Sequence, residues 1–300
     1  MILHANWCDL SGEKMFPYQK TIQRITIAII LLSALVVVAA FLFPYPGESY
    51  TFNTLRGEEI TIYGSGLYRY ESISFYAQAI AQDIVTLVIA VPLLIISLFM
   101  SSKGSMRGRV LLTGTLGYFL YTYASYSFLS AFNEAYLLYV ALFSLSLFAV
   151  ILSFMSISAD ELAAHIKDKY PRKGLGFFCL GVGSLIALMW LGRILPAIFQ
   201  GTTPIGMDAA STLVIQSLDL GLIVPLGFIS GILLLKKQNW GYLLGTVFLF
   251  KGTTLVIAVF VMALNMMRMG VAASPIEMII FGGITVLAIV FTGKVIRSIE

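Results

Sequence analysis

IQRITIAIILLSALVVVAAFLF, residues 22–43, carries Arg24 near its start and no further charge to its end. A helix rises about 1.5 Å per residue, so about 20 apolar residues cross a hydrocarbon layer ~30 Å thick. This run is long enough. It is also too long for the apolar core of a secretory signal, and Phe43-Pro44-Tyr45-Pro46 follows it where a cleavage site needs small residues. Comparable runs recur near residues 79–100, 109–131, 134–157, 174–198, 211–235, 240–266 and 275–296. The expected fold class is therefore all-α membrane, an eight-helix transmembrane bundle. A very tight turn around Phe132, Asn133 and Glu134 makes the third and fourth helices antiparallel neighbours.

Composition agrees. The chain is 59% hydrophobic and 11% charged, whereas about a quarter of a soluble domain is charged. The net charge of +4 does not indicate a nucleic-acid partner, because the basic residues sit at the ends of apolar runs rather than in a stripe. Fourteen of the 19 Lys and Arg residues fall on one set of connections: Lys14, Lys20 and Arg24; Lys103, Arg107 and Arg109; Lys167, Lys169, Arg172 and Lys173; Lys236 and Lys237; Lys294 and Arg297. Cytoplasmic loops carry that excess. Both termini are expected in the cytoplasm, with Cys8 and Cys179 near the same reducing side and no disulfide.

Four regions follow. Residues 1–21 form a cytoplasmic N-terminal segment, and residues 22–157 the first four-helix half. Residues 158–173 form a cytoplasmic amphipathic connection, and residues 174–300 the second half. Within the first half, residues 44–78 form an extracellular loop. There Tyr50-Thr51-Phe52, Ile60-Thr61-Ile62-Tyr63 and Gly64-Ser65-Gly66 predict two short strands and a turn. Leu162, Ala163 and Ile166 set against Asp160, Glu161, Lys167 and Lys169 predict a short interfacial helix.

The two halves echo one another. A shift of 133 residues lays Leu87, Val91, Pro92, Leu93, Ile96 and Ser97 on Leu220, Val224, Pro225, Leu226, Ile229 and Ser230. With two fewer residues in the next loop, Gly114, Thr115, Phe119 and Thr122 fall on Gly245, Thr246, Phe250 and Thr253. Four spans is an even offset, so the expected repeat is parallel. Pro92 and Pro225 each remove a helical hydrogen bond and predict a bend. Gly227/Gly231 and Gly241/Gly245 are helix-packing motifs.

A few polar residues stand inside the apolar runs. Asp219 and Lys251 both fall near mid-membrane, where an unpaired charge costs at least ~2.5–3.5 kcal/mol; they are expected to pair. The matching positions of the first half, Thr86 and Leu120, are uncharged. Nearer the outer side lie Gln82, Asp83, Tyr118, Tyr121 and Arg193. Asp83 with Arg193 reads either as an ion pair fastening two helices or as an anchor for an anionic group. Tyr118 and Tyr121 are candidates to face a polar pocket, and Tyr123 and Tyr126 read as aromatic-belt residues.

The histidines, His4 and His165, assemble no metal site, and no nucleotide, haem or redox motif occurs, so no cofactor is expected. The expected partners are the lipid bilayer and a small-molecule or lipid ligand. The leading reading is binding or transport of a small or amphiphilic solute through an outward-facing polar pocket. Two alternatives stand: a sensor or assembly protein acting through residues 44–78, and a lipid-modifying enzyme using Asp83 or Glu134 with Arg193.

Tyr63-Gly64-Ser65-Gly66-Leu67-Tyr68, Gln82-Asp83 to Pro92-Leu93, Leu218-Asp219-Leu220-Gly221 to Pro225-Leu226, and Lys251-Gly252-Thr253 together resemble a group of uncharacterised bacterial multi-pass integral membrane proteins. The likeness covers roughly residues 57–255. It implies a bacterial plasma (inner) membrane protein and implies no mechanism.

Overall fold

The computed structural model describes residues 16–43, 45–271 and 275–300. Its elements are α1 (Gln19–Leu42), β1 (Tyr50–Asn53), β2 (Glu59–Ile62), α2 (Ile73–Ser102), α3 (Met106–Leu129), α4 (Tyr136–Ser156), α5 (Ala159–Ala164), α6 (Arg172–Gln200), α7 (Val214–Leu235), α8 (Asn239–Arg268) and α9 (Pro275–Arg297). Among the described residues seven helices are long and apolar enough to cross a membrane: α1, α2, α4, α6, α7, α8 and α9, the last counted from Ile276. The chain is a multi-pass helical membrane protein.

The one long helix left out of that set, α3, explains itself by position. It packs between α2, α4 and α8, and 16 of its 24 residues are buried. A helix walled by protein needs no continuous apolar surface, so the Gly, Thr, Ser and Tyr residues of 113–127 are tolerated there. Its neighbour α8 also contacts α2, α7 and α9. These two helices form the centre of the bundle. One apolar cluster lies among α1, α2, α3 and α4, a second among α5, α6, α7 and α9, and both draw residues from α3 and α8.

Close approach depends on glycine at few places. A Cβ on Gly114 would lie 2.5 Å from the Phe250 Cβ, and one on Gly231 would lie 2.8 Å from the Gly176 carbonyl oxygen. The Gly227/Gly231 face therefore seats α7 on α6, and Gly241/Gly245 packs on Leu233 and Leu234.

At each proline, where a bend is expected, the helix contains a π-helical turn, over Thr86–Ala90 and Asp219–Ile223. Val91 N–H donates to the Thr86 carbonyl and Val224 N–H to the Asp219 carbonyl, five residues back in each case. The wider turn keeps the chain hydrogen-bonded just ahead of Pro92 and Pro225, whose rings would crowd the carbonyl one turn back in a regular α-helix. The two turns are themselves 133 residues apart. That matches the shift read from the sequence.

The outer connection differs from expectation at its end. α2 begins at Ile73, because Ser72 caps it by accepting the Phe75 N–H at 3.0 Å, so residues 73–78 are helix rather than loop. The hairpin pairs Tyr50 with Ile62 and Asn53 with Glu59, and its turn lies at residues 54–58 rather than at Gly64–Gly66. On the opposite side, the expected interfacial helix is the single stretch α5. It is tied down by Arg109 to Glu161 (2.8 Å) and Asn239 to Asp160 (2.7 Å). Arg172 donates to the last carbonyls of α7, at Leu234 and Leu235, which a helix C-terminus otherwise leaves unbonded.

Gly114→Leu should force α3 from α8 and cost about 1–3 kcal/mol, whereas Gly252→Ala, whose Cβ meets no atom within 4 Å, should be neutral or stabilising. Thermal unfolding of the two variants in detergent checks the contrast.

Candidate functional site

Two polar clusters lie buried among the apolar helices, and a third lies at the end that carries the hairpin. The first lies between α2 and α3. Asp83 is 2% exposed and accepts from Tyr68 Oη at 2.7 Å and Tyr126 Oη at 3.0 Å. Gln82 donates to Tyr118 Oη at 2.6 Å and to Thr122 Oγ1 at 2.9 Å, and Thr86 Oγ1 lies 2.8 Å from Tyr118 Oη. Tyr118 is fully buried. Its hydroxyl closes a sealed network and does not face a pocket.

Tyr123 and Tyr126 are also buried, which corrects their reading as belt residues. Tyr126 turns inward because Asp83 needs a donor. A carboxylate in a water-free interior is costly without one.

The second cluster joins five helices. Asp219, at the first position of the π turn in α7, accepts from Tyr121 Oη on α3 at 2.7 Å and from Trp190 Nε1 on α6 at 2.8 Å. The Lys251 Nζ on α8 stands 4.0 Å from the centre of the Tyr121 ring. The Arg193 guanidinium lies 5.4 Å from the Trp190 ring and is ion-paired to Glu277 on α9. Asp219 and Lys251 are 8% and 7% exposed.

The expected Asp219–Lys251 pair is thus indirect. No ion pair joins them among the described residues. Tyr121 stands between, giving its hydroxyl to the anion and its ring face to the cation, a geometry favoured by the ring quadrupole. Nor does Asp83 meet Arg193: the aspartate is held by two tyrosines and the arginine by Glu277. Of the seven candidates, Tyr118 joins Gln82 in the first cluster beside Asp83, and Tyr121, Asp219, Lys251 and Arg193 fall in the second.

Sequence reasoning missed Trp190, Glu277, Tyr68 and Thr86. Only Trp190 carried a signal, as an indole-bearing side chain inside an otherwise aliphatic stretch of α6.

The third cluster fastens the outer end. Arg69 makes two hydrogen bonds to Glu134, at 2.5 and 3.0 Å, and lies over the Tyr45 ring. The bidentate arginine holds the Glu134 carboxyl below its usual range. Ser72 Oγ donates to Asp208 Oδ2 at 2.8 Å, and Glu71 accepts the Ala131 N–H at 2.7 Å. Burial raises the Glu71 carboxyl to about 8, the Ala131 N–H opposes that shift, and nearby Asp208 adds to it. Hairpin, α3–α4 turn and α6–α7 loop are locked together here.

Two cavities open at this end. One, of about 570 Å³, lies between the end of α1 and α2 and is lined by Phe41, Tyr63, Tyr68, Tyr76 and Ile80. The other, of about 360 Å³, lies between α6 and α7 and is lined by Arg56, Ile194, Gln216, Ser217 and Leu220. Neither is lined by Asp219 or Lys251, but Ile194 and Leu220 are chain neighbours of Arg193 and Asp219.

Among the described residues no group of His, Cys, Asp and Glu stands close enough to hold a metal. Comparison of the chain with protein-family models, curated proteins and solved structures returns no match. The fold and its buried polar clusters define an integral membrane protein, and they assign it to no family.

Glu71 has a folded pKa above its ordinary value, so its ionisation opposes folding. Its contribution is fully present below about 4.5 and is lost as pH rises through about 8. Glu71→Gln should therefore raise the melting temperature by several degrees at pH 8.5 and leave it unchanged at pH 4.5. Melting curves at the two pH values check this.

Proposed function

We propose that the chain binds, and moves, a small or amphiphilic solute through a polar pocket reached from the outer side, with the Asp219–Tyr121–Lys251 cluster at its charged centre. The observation that carries this reading is that cluster. Five helices contribute to a line of polar groups from Glu277 through Arg193, Trp190, Asp219 and Tyr121 to Lys251. A single helix-fastening contact needs two side chains. Ionisable groups at membrane depth mark solute or ion pathways by default, and π turns gather at functional sites.

The bundle is built as two parallel four-helix halves. The shared 133-residue offset of the sequence echo and the π turns supports that duplication. So does reciprocal packing: α2 meets α8, its counterpart α7 meets α3, and α3 and α8 meet each other. All eight long helices, α3 included, cross the membrane in this reading. Both termini lie in the cytoplasm of a bacterial cell, as the distribution of Lys and Arg requires.

The second reading, a sensor or assembly protein acting through the outer segment, draws support from the exposed strand β1, every residue of which faces solvent. The lipid-modifying enzyme has less support. Asp83, Glu134 and Arg193 stand in three separate contacts and form no common centre.

Asp219→Asn and Lys251→Met should each weaken by at least about tenfold, on the order of 1.4 kcal/mol, the stabilisation that the purified protein gains from a solute found in a panel of small and amphiphilic compounds. Deletion of residues 50–62 should leave that stabilisation in place under the solute reading, whereas the sensor reading requires function to be lost with the hairpin. Cysteine introduced at Leu55, which is 91% exposed, should react with a membrane-impermeant thiol reagent on intact cells.

A further inference from the structure

The cluster contains one buried donor that the protein itself leaves without an acceptor. Among the described residues Lys251 Nζ has no hydrogen-bond partner, although its ammonium offers three N–H donors. It faces the Tyr121 ring, which accepts no directed N–H···O bond, and feels the Asp219 charge without a hydrogen bond to it. Asp219 gives it no hydrogen bond among the described residues: the bonds its two oxygens accept come from Tyr121 and Trp190.

The lysine is nonetheless accommodated with care. Gly117 on α3 leaves room for its stem, since a Cβ there would lie 3.3 Å from the Lys251 Cγ. Arg193, the other cation of the cluster, is already neutralised by Glu277.

The cavity between α6 and α7 borders the cluster, since Ile194, next to Arg193, and Leu220, next to Asp219, are part of its lining.

We infer that Lys251 is the docking point for an oxyanion, a carboxylate or a phosphate, carried by the solute or by a lipid headgroup. The inference rests on the proposed solute-binding role of the cluster and names the chemistry it selects. The ammonium supplies up to three charge-assisted hydrogen bonds in a medium of low dielectric, where such bonds are roughly twice as strong as neutral ones. Asp219, on the hydroxyl side of Tyr121, has its two oxygens held by Tyr121 and Trp190.

The test is the melting temperature of the purified full chain with three oxyanion probes: sodium octanoate, inorganic phosphate, and phosphatidylglycerol in nanodiscs. Octanol and phosphatidylcholine nanodiscs are the controls without net negative charge. At least one oxyanion should raise the melting temperature by several degrees where its control does not. The responding probe separates a free amphiphilic carboxylate, a free phosphate and a lipid headgroup.

Lys251→Met should abolish the shift and Lys251→Arg should retain it. Lys251→Gln, which keeps a long polar side chain without the charge, should abolish it too, and serves if Lys251→Met does not fold. The inference is overturned if no oxyanion stabilises the wild type, or if the shift survives both Lys251→Met and Lys251→Gln. It is also overturned if octanol stabilises as well as octanoate; loss of that octanol effect in Asp219→Asn would leave the solute-binding reading standing.

Discussion

An ionisable side chain carried into the bilayer must find its partners within the protein, and the arrangement of the central helices follows from that constraint. Asp219 draws Tyr121 from α3 and Trp190 from α6; Asp83 draws Tyr68 from the outer segment and Tyr126 from α3. Each carboxylate is thus a point where three parts of the chain must meet. Tyr118, Tyr121, Tyr123 and Tyr126 all lie on α3. Those side chains make α3 too polar to face lipid and too well partnered to sit anywhere except the centre.

The prolines work with the same constraint. A π turn ahead of Pro92 and another ahead of Pro225 shift the register of the residues that follow, and Thr86 and Asp219 occupy the first position of each. Both reach α3 through a tyrosine hydroxyl, Thr86 to Tyr118 and Asp219 to Tyr121. One backbone device therefore presents a neutral polar contact from α2 and a charged one from α7.

The two ends of the bundle are fastened by different means. At the end bearing most of the basic residues, Arg109, Arg172 and Asn239 tie the short helix α5 and the C-terminal turn of α7 to their neighbours. At the end that carries the hairpin, Ser72 meets Asp208, and Arg56 meets the Ser211 carbonyl at 3.3 Å. Those two bonds, with the Arg69–Glu134 pair, place the hairpin over the ends of the helices that carry the polar clusters.

The sequence by itself determined the class of the protein, most helix positions within a few residues, the hairpin, and the echo between α2–α3 and α7–α8. Each of these follows from local information, namely the length of an apolar run, the alternation of a strand, or the recurrence of Pro and Gly-Thr. It also marked Asp219, Lys251, Asp83 and Gln82 as residues that cannot be idle, since charge or amide at that depth is costly wherever it lies. Their partners were decided only by the tertiary structure. Tyr121 came between Asp219 and Lys251, and Glu277 took Arg193 from Asp83, because a contact between helices depends on the facing direction and depth of residues far apart in the chain. The start of α2 at Ile73 belongs with these, for the Ser72 cap is itself held in place by Asp208, 136 residues away.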